Sequence, residues 1–422
     1  MTGVGRWRSS RLKFVADLKS GGTPAVDADS YWAEGDEGVA WVTISDMTRS
    51  SRIFSTTRTL TPEGLAASRL AVACPGTLLL SMYASLGTVA TLEIPAAWNQ
   101  AILGITPKAG TDRGFLRYAL SALQPSLRGL ARSSTQDNLN AEQIGNLSLR
   151  RPSVDMQCKI GQLLDRESAR IDVLKASLHD LQDEMITPVL SCLSELCAGS
   201  PKGRVGYRYE VQLGKMLDQG RIDPGDHHPY LRNRNVQWDH ILPNDLKTMP
   251  FSSSEQARYR LRKGDLLVCE GGQPGRAAIW QGEVENCFFQ KALMRVRARG
   301  GDSTRFLMWC LRLSSERGDF AADGTGATIM HLPAERLIAT RVPLPSPREQ
   351  RELVAQVDEL AEPAGKLAAE IGDLIAGLEE YRNALITEAV TEKLDVTKLS
   401  DQQLDESARA AMEGERPEVL SA

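Results

Sequence analysis

No stretch of eighteen uncharged apolar residues runs through this chain, so no membrane-spanning helix is expected. The opening MTGVGRWRSS lacks the apolar core of a secretory leader, which points to the cytoplasm. The cysteines are few: Cys74, Cys158, Cys192, Cys197, Cys269, Cys287 and Cys310. They are odd in number, scattered and without a C-x-x-C pair. That argues against a disulfide framework or a zinc site and for reduced, buried thiols in the cytosol. Also missing are the G-x-x-x-x-G-K-[ST] phosphate loop and the H-E-x-x-H zinc motif. Asp323-Gly-Thr-Gly326 is a bare G-x-G that reads as a turn. The adjacent His227 and His228 point in different directions and have no third ligand nearby, so no metal is expected there.

What is present is ordinary soluble-protein material: 42% hydrophobic and 25% charged residues in 422, enough for two or three domains. The net charge of −4 hides an alternation. Residues 1–150 carry +3, 151–200 carry −3, 201–345 carry +6 and 346–422 carry −10. Two basic blocks between acidic ones suit two phosphate-facing domains held by helices that do not face a polyanion.

An internal repeat sets the architecture. Pro75-Gly-Thr-Leu-Leu-Leu-Ser-Met-Tyr-Ala-Ser-Leu-Gly87 lies over Lys263-Gly-Asp-Leu-Leu-Val-Cys-Glu-Gly-Gly-Gln-Pro-Gly275, with the glycines at an offset of 188. Asn99-Gln100 then lies over Phe289-Gln290. Leu139, Glu142, Pro152 and Gln157 match Leu332, Glu335, Pro345 and Gln350 at an offset of 193. Each half opens with short β-branched runs punctuated by Gly and Pro, which predict strands of a mixed α/β (α+β) domain. Each half then closes with one long helix after a proline-rich lead-in.

In the second helix Leu353, Val357, Leu360, Ala364, Leu367, Ile371, Leu374, Leu378, Tyr381 and Leu385 keep a 4-3-4-3 spacing. The first repeats the seam at Leu164, Ile171, Leu174, Leu178, Leu181 and Met185, then relaxes to Val189, Leu193 and Leu196. Such heptad seams call for a partner helix, and antiparallel pairing as a coiled coil is expected. The expected division is therefore 1–150 and 201–345 as globular domains, 151–200 and 346–398 as paired helices, and 399–422 as an acidic, disordered tail. A seam from Leu353 to Leu385 is about 48 Å long, against about 34–36 Å for one turn of B-DNA. That length suits a ruler between two sites on one duplex.

With LPSPREQRELVAQVDEL at 344–360, ALITEAVTEKLDV at 384–396 and the weaker first copy LRRPSVDMQCKIGQLLD at 149–165, the chain resembles the specificity subunits of type I restriction–modification systems. The first copy departs from the pattern at Val154-Asp155-Met156. The resemblance implies two target-recognition domains, each reading half of an interrupted site on double-stranded DNA, with the helices fixing the gap. It also implies docking of two modification subunits, which use S-adenosylmethionine, and association with restriction subunits, which use ATP and Mg²⁺. The chain itself would bind no cofactor and catalyse nothing. It has no Asn/Asp-Pro-Pro-Tyr/Phe adenine-methylation motif. A different reading stays open: a coiled-coil scaffold whose repeated domains bind protein or small ligands.

Base reading needs long polar side chains on loops, with Arg for guanine and Asn or Gln for adenine. The second half offers Arg232, Asn233, Arg234, Asn235, Gln273, Arg276, Gln290, Lys291, Thr328 and His331. By offset the first half offers Ser45, Asp46, Tyr83, Ser85, Asn99, Gln100, Thr135, Gln136 and Asn138.

Overall fold

A computed structural model describes residues 7–25, 28–33, 37–83, 85–132, 139–216, 226–320, 331–396, 398 and 401–413. The chain divides into two compact units, 1–179 with 370–422 and 180–369, so the division falls inside both long helices. Candidates Thr135, Gln136, Asn138 and Thr328 lie outside the described residues.

The first unit is built on a five-stranded sheet, whose middle strands Leu78–Ser81 and Ile102–Pro107 are apolar and buried. Ala16–Ser20 pairs with the outer side of Ile102–Pro107, antiparallel. A second sheet joins Val39–Val42 and Ala96–Trp98 in parallel. The two-stranded ribbon Arg8–Arg11 with Ser148–Arg151 then leads into the first long helix, Val154–Leu196.

The second unit repeats these pairings. Leu266–Cys269 and Leu293–Ala298 are its buried middle strands, and Tyr209–Leu213 takes the place of Ala16–Ser20. Asp226–Leu231 and Phe288–Phe289 pair in parallel. Lys202–Arg204 with Arg341–Pro343 leads into the second long helix, Pro347–Val390. The repeat therefore holds at the level of strand register.

It also holds at single hydrogen bonds. Gln157 and Gln350, both fully buried, do the same work one turn into each long helix. Gln157 Oε1 accepts from the Asp112 backbone N–H at 2.9 Å, and Gln350 Oε1 from that of Ser303 at 2.8 Å. Each amide nitrogen donates to the carbonyl of the lead-in proline, Pro152 at 3.0 Å and Pro345 at 3.1 Å. Asp112 and Ser303 in turn cap the helices Arg113–Ala122 and Thr304–Glu316. The glutamine thus locks a long helix to its own domain. Gly87 and Gly275 close equivalent turns at φ of +79° and +86°, where L side chains are strained.

Inside the first unit the two long helices pair antiparallel: Asp172 bonds Arg382 and Lys175 bonds Glu379, with the Arg382 guanidinium also donating to Ser168 O at 3.2 Å. Inside the second, Gln182 Nε2 donates to Ala368 O at 3.1 Å, and Ile186, Val189 and Leu193 share a core with Val357 and Ala361. Ile171, Ile371, Leu378 and Leu385 are buried, as expected of the seam, and Leu178, Met185, Leu367 and Leu374 are partly so.

Four seam positions need correction. Leu174 and Leu181 are each 40% exposed, Leu196 is 37% exposed and Leu360 is 44% exposed. An α-helix drifts by about 20° per heptad against a strict seven-residue repeat, so a seam extended by spacing alone rotates away from its contact. Neighbours take over, with Ala361 and Ile186 buried instead.

Two further expectations change. Residues 401–412 of the acidic tail form a helix, because Leu404 is buried against Tyr381, whose hydroxyl donates to the Leu404 carbonyl at 3.3 Å. Of the cysteines, only Cys197, Cys269, Cys287 and Cys310 are buried. Cys158 and Cys192 are half-buried and Cys74 is exposed.

Candidate nucleic-acid interface

In the second unit the strand Asp226–Leu231 runs out into the turn Asn233–Asn235, and three other segments meet it there. Gln290 N donates to Leu231 O at 3.1 Å, Glu270 N to Ala292 O at 3.1 Å, and Leu332 N to Glu270 O at 2.7 Å. Gly271 and His331 form an antiparallel bridge. All the described candidates of this half therefore gather at one edge, although they span a hundred residues of sequence.

Several of them are spent on holding that edge together. Asn235 is buried; it donates to Leu242 O at 2.9 Å and Asn244 O at 3.2 Å and accepts from Arg232 N at 3.0 Å. Asn233 donates to Gly271 O at 2.7 Å and accepts from the Arg276 guanidinium at 2.9 Å, which ties the two loops to each other. Arg232 pairs with Asp245 at 3.1 Å and holds that carboxyl below its usual range. A polar side chain that closes its own loop has few donors or acceptors left for a base. Asn235 is thus corrected from a base-reading candidate to a loop tie.

Arg234, Gln273, Lys291 and His331 stay exposed at this edge, with Gln290 half-buried between them. Arg234 lies 3.5 Å from Asp245, in an ion pair open to solvent on both sides. His331 Nδ1 lies 3.7 Å from a Glu270 carboxylate oxygen. Two cations, an amide and an imidazole on adjoining loops can contact phosphates and base edges together. The His228 ring packs against Phe288, with centroids 5.0 Å apart.

The first unit builds the same junction from different residues. Asn99 N donates to Val42 O at 3.1 Å, Met82 N to Ala101 O at 2.7 Å, and Leu139 N to Met82 O at 3.3 Å. These three bonds correspond one for one to those of the second unit. Asp46 is buried, contrary to its placement among base-reading candidates. Its carboxylate accepts from Thr43 N at 2.9 Å, Thr43 Oγ1 at 2.7 Å, Thr57 N at 3.2 Å and Thr57 Oγ1 at 2.6 Å. It caps the helix Ile44–Arg49 and pins the neighbouring loop.

Asn99 is also partly used, accepting from Ala101 N at 2.9 Å to close its turn. Ser85 supplies its carbonyl to Thr88, and Tyr83 leans half-buried on the core. Ser45 and Gln100 remain exposed. Arg49, one turn beyond Ser45, is exposed too and bonds Thr57 at 3.2 Å. An isolated arginine carries no sequence signal, so it was not among the candidates.

Residues 5–182 match the family model described as the type I restriction modification DNA specificity domain. A curated relative, the type I restriction enzyme MjaIX specificity subunit of Methanocaldococcus jannaschii, is 27% identical over 162 residues. That match covers 37% of this chain and 37% of the relative's length.

Among solved structures, the specificity subunit from Thermoanaerobacter tengcongensis is 16% identical, with a TM-score of 0.39 over 92% of this chain and 97% of the other. The subunit from M. genitalium is 15% identical, at 0.36 over 92% and 98%. A chain from a study of type I R-M complex assembly and conformational transition is 15% identical, at 0.45 over 92% and 98%. The family match takes in the segment 149–165 from which the resemblance was read, and the strand pairings and glutamine lock of the matched stretch recur in the second unit.

One carboxylate outside the candidate set stands beside each lock. The Tyr118 hydroxyl donates to Asp165 at 2.9 Å, and Trp309 Nε1 donates to Asp358 at 2.8 Å. Both acids lie eight residues beyond the locking glutamine, and that shared spacing is the sequence signal for them. Among the described residues no helix is long and apolar enough to cross a membrane.

Proposed function

We propose that this chain is the non-catalytic, DNA-reading subunit of a type I restriction–modification complex in the cytoplasm. Each unit reads one half of a two-part duplex site. The long helices set the gap and dock two modification subunits, and restriction subunits join that assembly. Methylation and cleavage, with S-adenosylmethionine, ATP and Mg²⁺, belong to those partners.

The observation that carries this reading is one loop junction built twice, with matching backbone bonds and with Arg234, Gln273, Lys291 and His331 left exposed in one copy and Ser45, Arg49 and Gln100 in the other. A scaffold for other ligands has no need of cations and amides at equivalent strand ends.

Titrating the full chain with duplex carrying its site, at a series of salt concentrations, tests it. A reader gives a steep fall of log affinity with log salt. A flat response, or no binding at any salt, favours the scaffold. The gap assignment has its own test. Adding one heptad to each helix, near Leu178 and near Ile371, lengthens each by about 10.5 Å and should widen the preferred gap by about three base pairs. An active variant with an unchanged gap contradicts the ruler.

A further inference from the structure

Phe14 and Tyr207 occupy the same place in the two units, in the four-residue turns Leu12–Val15 and Val205–Arg208. Their offset is 193, that of the repeat itself. Each is 68% exposed, while the residues that open the two turns, Leu12 and Val205, are fully buried. Each unit thus buries the start of its turn and presents one aromatic ring outward. Exposed aromatic rings are costly to keep in water, and two at equivalent positions of diverged halves point to a partner that meets both.

The strand registers place these rings away from the candidate DNA edge. Ala16, just after Phe14, pairs with Pro107, whereas Ser20 pairs with Leu103, beside Gln100. Tyr209, just after Tyr207, pairs with Ala298, whereas Leu213 pairs with Met294, beside Lys291. A five-residue strand, about 16 Å long, separates ring from reading loops in each unit. The rings stand instead next to the ribbons that lead into the long helices.

Their surroundings are apolar and mainly basic, with the nearby acids Asp17 and Glu210 paired to Lys108 and Arg295. Lys13 Nζ lies 5.5 Å from the Phe14 ring centroid, and Arg11 is exposed beside it. In the second unit Ile338 packs on Gly206 and is 40% exposed, and Arg204 and Arg299 are exposed nearby.

We propose that Phe14 and Tyr207 centre two equivalent protein-docking surfaces, each seating one copy of the modification subunit in an apolar pocket with an acidic rim. This rests on the reading of the chain as a specificity subunit. Duplication of the surface fits a partner present twice, the basic surroundings call for acidic complementarity, and the position leaves the reading loops free.

The test mixes the full chain with the purified modification subunit of the same system and counts bound copies by mass photometry. Wild-type chain should take two. Phe14→Asp and Tyr207→Asp should each lose one, and the double variant should take none where wild type saturates, its Kd raised by about 30-fold or more. Phe14→Tyr with Tyr207→Phe should restore both. Thermal melts check that the variants fold, and Phe14→Ser with Tyr207→Ser serves if the charged pair does not. DNA affinity of the chain alone should be unchanged in every variant.

A double variant that still binds two copies at wild-type Kd overturns the surface and leaves the functional reading intact. Loss of DNA affinity by the chain alone would make this a nucleic-acid surface, and loss of a chain–chain dimer would make it a self-association surface; either overturns the proposal. Wild-type chain that takes up no modification subunit defeats the functional reading itself, and this inference with it.

Discussion

The two units share a scaffold and differ in how they fasten their loops. In the first, one buried carboxylate, Asp46, gathers four donors from two segments. In the second, an amide and a guanidinium, Asn233 and Arg276, tie one loop to the next, while Asn235 closes the turn from within. The backbone bonds behind these ties are the same in both. The lesson is that strand register and the glutamine lock define the domain, and loop chemistry varies freely on top of it. That separation is what the proposed reading of two different half-sites requires.

Breaking a tie should show the difference most strongly. Asp46→Ala leaves four donors around an emptied buried site and should cost about 3 kcal/mol in urea unfolding. Ser45→Ala, one residue away and exposed, should stay within about 0.5 kcal/mol. Equal losses would mean that Asp46 is not the fastening the first unit depends on.

Breaking the shared lock should treat both units alike. Gln157→Leu and Gln350→Leu each strand a backbone N–H and a proline carbonyl, and each should cost about 1–3 kcal/mol. A loss confined to one of them would deny the repeat at this position.

The exposed cations should leave stability untouched. Arg234→Ala and Lys291→Ala should each lower the salt slope of DNA binding by about 1 and change the unfolding midpoint little. An unchanged slope in both would remove them from the interface.

Much of the architecture was legible because the anchors of the repeat are residues that backbone geometry demands. Gly87 and Gly275 sit at positive φ, and Gln157 and Gln350 satisfy buried backbone groups, so they keep their spacing while their surroundings change. At the candidate loops, which side chains fasten the turn and which stay exposed was not legible. Asp46 and Asn235 have the same polar groups a base contact needs, and turn backbone competes for those groups with equal chemistry.

The helix seam was legible near Ile371 and Leu378 and lost at Leu174, Leu181, Leu196 and Leu360, where the drift of a 3.6-residue turn outran a 3.5-residue pattern. The tail helix 401–412 carried a single fully buried apolar residue, Leu404, with Ala408 and Met412 packed beside it, too little signal in an acidic run.

The central claim, one half-site per unit, is tested most directly by exchange. Residues 205–340 are replaced with the corresponding segment of another type I specificity subunit, the modification subunits are supplied, and methylated adenines are mapped across a genome. The account predicts that one half of the recognised sequence changes to the donor's while the other half stays as it was. A variant that methylates with both halves changed, or with neither changed, would contradict it.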